Sequence, residues 1–287
     1  MKTRILILIV LVTAVSCGIR DDLDDCPSGS LFFELDDPHS PGDFDSDIGN
    51  DVQLHIFGED LFHSSIVIPY DRIRGGQFYT FRKPFTGKMN LIAYAIPDGD
   101  PGSAPTPAPG DSYYEQIIRM EALSRSSGCS PRLGSLYLGK INMDENTPEQ
   151  SVHRVAMSPC FAKVTVLVMD AGSFSATFPG TPSVGIEGTA QQFLVHERKA
   201  SQAVEVHAVV TEENGIYTTG TLRVLPAPAP GRTLKVNLYH DGRLAMYVDT
   251  EEEAAAGKEI TIKIYPHNLS AEIIVDGWTY KKQVTAP

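Results

Sequence analysis

The sequence predicts an all-β protein: two tandem antiparallel β-sandwich domains that follow an N-terminal signal segment. Short apolar or alternating runs recur roughly every 8 to 15 residues along most of the chain. The 24 glycines and 20 prolines lie largely between these runs, where turns are expected. A helical spacing of apolar residues is found in one stretch alone. Many short strands with frequent turn residues are typical of antiparallel sandwiches.

Residues 1–16 have the layout of a secretory signal peptide. Lys2 and Arg4 precede an apolar run from Ile5 to Val15, which is too short for a membrane span of about 20 residues. The run ends in Ala-Val-Ser-Cys, which resembles a bacterial lipobox. We therefore predict that Cys17 becomes the lipidated N-terminus, because its thiol is the nucleophile that accepts the lipid. The alternative is an ordinary signal peptide with a chance cysteine.

Residues 17–26 form an acidic tether with four aspartates: Asp21, Asp22, Asp24 and Asp25. So polar a segment cannot bury enough apolar surface to fold. Acidic residues just after a lipidated cysteine resemble a surface-export signal of bacterial lipoproteins; the alternative is a plain spacer. Either interpretation predicts that the folded part stands off the membrane.

The charge of the chain argues against nucleic acid as a partner. The formal net charge is −12 and falls to −14 once Lys2 and Arg4 leave with the signal peptide. Phosphate binding requires clusters of Lys and Arg, and the sequence contains no basic stripe.

The first predicted domain covers residues 27–148. Its strand-like runs lie at 31–35, 51–57, 64–70, 76–82, 89–97 and 133–141. A proline- and glycine-rich stretch at 97–112 cannot form a ladder, and we predict an exposed loop there, with an interdomain linker as the alternative. Residues 113–123 show the helical spacing and predict a helix.

The second predicted domain covers residues 149–287, after a polar break at 142–150. The alternation is clearest at 161–170, which predicts a central strand. Asp241-Gly242 between two apolar runs predicts a hairpin turn. Further strand-like runs lie near residues 184, 206, 220, 236, 246, 262 and 273.

Three cysteines remain after Cys17, so at most one disulfide can form among them. We predict Cys129–Cys160, which would staple the region between the two domains; the alternative is that these residues are buried or free thiols. Cys26 is then left over.

No catalytic motif is found, and we predict neither an enzyme nor a cofactor. His55, His207 and His240 fall in strand patterns, where we expect them on the surface. Asp43, Asp45 and Asp47 have the spacing of a calcium loop, but Gly49 stands one position late and Leu54 replaces the bidentate Glu. We therefore predict an acidic loop and no metal site.

The opening CGIRDDLDDCP resembles the start of the fimbrillin-associated anchor lipoproteins, the FimB-like minor subunits of type V pili. The segments LYLGKI, VHRVAMSPCFAKVTVLV and AEIIVDGW are similar to family segments in the same order. This resemblance implies two transthyretin-like sandwiches, a lipid at Cys17, attachment to the outer membrane and fimbrial subunits as partners. It also implies assembly by strand exchange, in which a strand of one subunit completes the sheet of another.

The leading hypothesis is thus a non-enzymatic anchor or minor subunit of a surface fimbria. Only nine residues follow Trp278, which predicts a tail too short to act as a long donor strand. The alternative function is a lipid-anchored module that binds glycans or has an adhesive role. A surface hydrolase is the third hypothesis, because the sequence offers no set of catalytic residues.

Overall fold

The computed structural model describes residues 29–37, 44–81, 84, 87–97, 104–120, 133–144 and 151–286. Within these ranges the predicted all-β fold is confirmed, since three sheets account for most of the chain. Two short helices accompany them, α1 (Phe44–Asp47) and α2 (Ala171–Thr177). The predicted signal peptide and tether lie outside the described residues.

The first sheet holds seven strands in the order β3-β2-β5-β7-β8-β1-β4. Their bounds are β1 Gly29–Leu35, β2 Val52–Gly58, β3 Leu61–Ile68, β4 Tyr79–Phe81, β5 Met89–Ala95, β7 Tyr137–Met143 and β8 Ser151–Pro159.

This sheet folds back on itself to make a sandwich. β7 and β8 pair at only two positions, Tyr137 with Pro159 and Leu138 with Ser158, and the sheet turns there. Gly139 shows how closely the two layers approach, because a Cβ at this position would lie 2.5 Å from a methyl group of Val155 in the opposite layer. The layers β3-β2-β5-β7 and β8-β1-β4 therefore enclose the apolar core of the N-terminal half.

β8 pairs with β1 in parallel over seven positions, from Gly29–Ser151 to Leu35–Met157. The predicted domain boundary at 148/149 thus falls between two strands of one sheet. The apolar residues Val155 and Met157 of β8 are fully buried, and they are buried against the first half rather than the second. We propose that the division between the two domains lies after β8.

The C-terminal half contains two facing sheets. The middle sheet has the order β11-β10-β14-β15, and the third has the order β12-β13-β9-β16-β17-β18. The bounds are β9 Ala162–Val168, β10 Pro182–Leu194, β11 Lys199–Val209, β12 Thr211–Glu213, β13 Ile216–Val224, β14 Lys235–His240, β15 Arg243–Asp249, β16 Glu259–Tyr265, β17 Ser270–Val275 and β18 Trp278–Gln283.

Alternate residues of β9, β16 and β17 are buried, as expected for a sheet with one face on a core. β9 is a central strand, which confirms the prediction for 161–170, although its pairing with β16 is parallel. The predicted hairpin is also confirmed: β14 and β15 pair around Asp241 and Gly242, both of which have the positive φ that a tight hairpin turn requires.

The helix predicted at 113–123 is wrong over the part that the structure describes. Tyr113–Glu115 form a single 3₁₀ turn, and β6 (Ile117–Arg119) follows at once and pairs with β10 of the middle sheet. Gln116, Ile118 and Met120 are buried with period two. Pairing with β10 satisfies the backbone of this segment and overrides its helical spacing.

β6 comes from the N-terminal half of the sequence but extends a C-terminal sheet, so it ties the two halves together. Two cations strengthen the junction: Lys140 Nζ donates to the His196 carbonyl at 2.6 Å, and Arg198 Nη2 donates to the Leu138 carbonyl at 2.6 Å. Across the described residues, no helix has the length and apolar character that a bilayer crossing would demand.

Candidate functional site

The predicted lipid and disulfide sites are only partly within the described residues. Cys17 and Cys129 both lie outside them. Cys160 is a buried thiol beside β8, and burial raises its pKa to about 12. The pairing of Cys160 with Cys129 stays a prediction.

Two aspartates of the tested calcium pattern are described, and the third, Asp43, is not. Asp45 and Asp47 lie in α1, and the Asp45 carboxylate accepts hydrogen bonds from the Tyr70 hydroxyl at 3.0 Å and the Gly75 amide at 2.9 Å. Asp45 therefore fixes the loop after β3. No cluster of three or more metal-ligating side chains occurs among the described residues.

A polar cluster covers the outward face of the middle sheet. Asn237 Nδ2 donates to Glu187 at 2.7 Å and to Glu205 at 3.0 Å, Tyr239 donates to Glu205 at 2.6 Å, and His207 lies 3.1 Å from the same carboxylate. These groups bond mainly to one another. The cluster holds three strands in register and provides no nucleophile with an adjacent base.

A groove of about 590 Å³ lies at the junction of the two halves. Its walls are mostly alanine and proline from the loops 226–230 and 253–256, with Phe193 of β10 and Arg198 of the β10–β11 turn beside them. Its size suits a small ligand. The other charged or polar residues of its lining are Asp36, Ser158, Lys199 and Glu253.

The edge strands of the three sheets differ in one respect that bears on protein contacts. Natural sheet edges are usually guarded by charged residues or proline, because unpaired backbone groups recruit foreign strands. The long edge strands of the C-terminal half carry such charges: Lys199 and Glu205 in β11, Arg243 and Asp249 in β15, and Lys281 and Lys282 in β18. Within the described part of the chain, β3 is the only long edge strand with no Lys, Arg, Asp, Glu or Pro.

β3 presents an eight-residue edge whose side chains alternate between exposed and half-buried. Leu61 is 52% exposed and Val67 is 61% exposed. The first two residues are already covered, since Leu61 bridges to Ser112 and the Phe62 amide donates to the Asp111 carbonyl. The backbone edge of residues 64–68 has no strand beside it among the described residues.

Aromatic side chains pack closely behind β3. The His55 ring lies 5.0 Å from the Tyr94 ring and 5.9 Å from the Phe62 ring, and Phe57 packs between Phe62 and Tyr113. His55 is fully buried, so the prediction of a surface position was wrong. The face of β2 that carries His55 and Phe57 is covered by these aromatic rings, and five of the seven residues of β2 are buried. Burial lowers the pKa of His55 to about 4.

The sequence predicted a strand at 64–70 but not its place at a sheet edge. The signal was present, since LFHSSIVI is apolar at both ends and lacks any charged residue. Strand order is not visible in a local pattern, however, and an uncharged strand can equally be a central one.

Comparison with known proteins places the chain in a family. The sequence model for the fimbrillin-A associated anchor proteins Mfa1 and Mfa2 matches residues 23–284. No curated protein sequence matches.

Solved structures show the same fold at low identity. A candidate polysaccharide-binding protein of Bacteroides thetaiotaomicron is 13% identical with a TM-score of 0.65, over 89% of this chain and 98% of that chain. A candidate adhesin of the same organism is 13% identical with a TM-score of 0.59 over the same shares. The fimbrial anchor protein Mfa2 of Porphyromonas gingivalis is 10% identical with a TM-score of 0.58, over 88% of this chain and 97% of that chain.

The family match spans nearly the whole chain, and the fold of a fimbrial anchor protein agrees with it. This chain belongs to the family of fimbrillin-A associated anchor proteins Mfa1 and Mfa2.

Proposed function

We propose that this protein is lipid-anchored in the outer membrane through Cys17 and holds a fimbrial subunit at the cell surface by accepting one of its strands at β3. Membership of a fimbrial anchor family supports the pilus connection. The lipobox-like sequence before Cys17 supports the membrane connection. The role is binding rather than catalysis.

The observation that carries the subunit contact is the uncharged open edge of β3. An incoming strand gains backbone hydrogen bonds along residues 64–68 and covers Val67, which is 61% exposed. The aromatic side chains packed behind β3 keep this edge in place, so that little ordering is needed on binding.

A charge placed on the edge tests the contact. In the V67K variant, β3 carries a charged residue, as the other long edge strands do. We expect capture of purified fimbrial subunits by this variant to fall at least about tenfold. The matched control is V209K, on the guarded edge strand β11, where Val209 is 41% exposed. Unchanged capture by V67K, or an equal loss in V209K, would contradict the role of β3, provided both variants melt like the wild type.

The C17A variant tests the anchor separately. We expect it to lose incorporation of labelled palmitate and to leave the outer-membrane fraction. A C17A protein that stays in that fraction would contradict lipid anchoring at this residue.

Glycan binding is the second candidate, and one observation favours it. Trp278 is 82% exposed at the start of β18, and an exposed indole ring is a stacking surface for sugars. A glycan array with wild type and W278A decides this alternative: binding that W278A abolishes supports it, and an absence of binding to any glycan contradicts it.

A further inference from the structure

An exposed apolar patch lies where the chain enters the first sheet. Phe32 of β1 and Phe78, just before β4, pack with tilted rings whose centroids are 5.4 Å apart on the outward face. Val152 of β8 lies on the same face, next to Ser30. Phe78 is 56% exposed and Val152 is 58% exposed, so these neighbouring side chains place a group of apolar atoms in contact with solvent.

Arginines border this patch. Arg154 is the β8 partner of Phe32, and its side chain is 76% exposed. Arg72 and Arg74 are exposed residues of the loop that leads to Gly76, where an added Cβ would lie 3.4 Å from the Phe32 ring. Acidic groups are also present: Glu34 lies 3.6 Å from Arg154, and Asp71 neighbours Arg72. The Asp45 carboxylate, which accepts a hydrogen bond from the Gly75 amide, adds a third acidic group, so three arginines and three acidic residues surround the patch.

The patch surrounds the point at which the described chain begins. Gly29, the first described residue, pairs with Phe81 on one side and with Ser151 on the other, one residue from Val152. Gly29 lies 12 positions after Cys17, and a chain of this length spans at most about 40 Å. A lipid at Cys17 would therefore hold this face, more than any other, close to the bilayer.

We propose that the patch formed by Phe32, Phe78 and Val152, with Arg72, Arg74 and Arg154 at its rim, is a membrane-contact face that rests on a phospholipid surface. This inference depends on the proposed lipid at Cys17. Aromatic and aliphatic side chains enter the headgroup region while arginines meet phosphates, as in other interfacial surfaces. Contact at this face orients the molecule so that the opposite parts face outward, and it replaces the expectation that the tether keeps the folded part away from the membrane.

The single tryptophan of the chain allows a direct test. In the full-length lipidated F78W/W278F variant, the only indole lies in the patch; in the wild type it lies at position 278, in the other half of the chain. Both proteins are reconstituted into vesicles of phosphatidylcholine and phosphatidylglycerol whose acyl chains are brominated near the headgroup. We expect bromine to quench the emission of F78W/W278F about twofold or more and to leave the wild type unchanged, because only an interfacial side chain reaches this depth. V152W/W278F is a second reporter if F78W disturbs folding.

The outcomes separate the patch from the anchor. Flotation of the wild type but not of C17A with vesicles establishes the anchor. If the wild type floats and neither reporter is quenched, the membrane-contact face is overturned and the anchor stands; contact of the patch with a second copy or another protein would give this same result. If the wild type does not float, both proposals fall. Replacing Arg72, Arg74 and Arg154 by serine in the F78W/W278F protein should reduce the quenching, and undiminished quenching would remove the arginines from the contact.

Discussion

Arg198 and Leu138 join the two halves of the molecule: Nη2 of the guanidinium donates a 2.6 Å hydrogen bond to the backbone carbonyl of Leu138 in β7. Two residues away on each strand segment, Lys140 and His196 make the reciprocal contact, in which the β7 side chain donates to the carbonyl of the β10–β11 turn. Burial, followed by the positive charge of Arg198, lowers the pKa of Lys140. The two cations therefore make a pair of hydrogen bonds, one in each direction, that connect the two halves.

Removal of one of these two hydrogen bonds should weaken the junction between the halves. We expect R198A to reduce the free energy of unfolding by about 1–3 kcal/mol, since a charged donor to a part-buried carbonyl is lost. Urea denaturation followed by circular dichroism measures this change. The control is K199A at the next, exposed position, which should leave stability within about 0.5 kcal/mol of the wild type. Equal urea midpoints for R198A and K199A would contradict a stabilising role for the Arg198 hydrogen bond.

His55 should make the protein less stable in mild acid. Its pKa is about 4 in the folded chain, against 6.5 when it is solvated, because burial removes the charged ring from water; among the described residues neither ring nitrogen has a hydrogen-bond partner. The unfolded chain binds the proton first, so stability falls as the pH drops from about 6.5 through 4, by at most about 3 kcal/mol.

Denaturation at a series of pH values checks this effect. The H55L variant should lack this part of the pH dependence, whatever its stability at pH 7, whereas H63Q, at an exposed position of β3, should keep it. A wild type and an H55L protein with the same slope between pH 6.5 and 4 would show that His55 is not the group responsible.

Gly188 should tolerate no side chain. It has a φ of +89° at the irregularity in β10, and a Cβ would overlap the Thr233 carbonyl oxygen. G188A therefore combines backbone strain with a clash against main chain that cannot rotate away, and we expect a loss of about 3 kcal/mol or more. G215A shares the positive φ, +75°, but has open space around the Cβ position. Its loss should be nearer 1 kcal/mol, and melting curves of the two variants should differ accordingly.

The C-terminal tail is part of the folded sandwich. β18 pairs along its whole length with β17, and Thr285 exchanges two 2.9 Å backbone hydrogen bonds with Tyr247 of β15. Deletion of residues 279–287 would remove all of β18 except Trp278 and would therefore destabilise this sheet. T285P removes one donor and should cost about 1–2 kcal/mol. A286P at the next, exposed residue should cost little, and equal melting temperatures would contradict a structural role for the Thr285 pairing.

Local patterns predicted the strands well and their partners poorly. The alternation around Leu54 and Val166 gave β2 and β9, and Asp241-Gly242 gave the β14–β15 hairpin, because each depends on a few neighbouring residues. The parallel pairing of β1 with β8 and the capture of Ile117–Arg119 by β10 depend on distant residues, which no local period reveals. The open edge of β3 was missed for the same reason. The burial of His55 was missed because a polar residue in an alternating strand is expected to face solvent, and the sequence does not show which residues pack over that face.

The parallel pair formed by β1 and β8 has a consequence for the order of folding. Asp36 at the end of β1 bonds to Ser158 at the end of β8, 122 residues later in the sequence. Until β8 has been synthesised, β1 has a neighbour along only three of its residues, in β4. Loop closure over so long a separation makes folding slow, so the parallel pair is expected to form late and the N-terminal layer to assemble only after β8 is available.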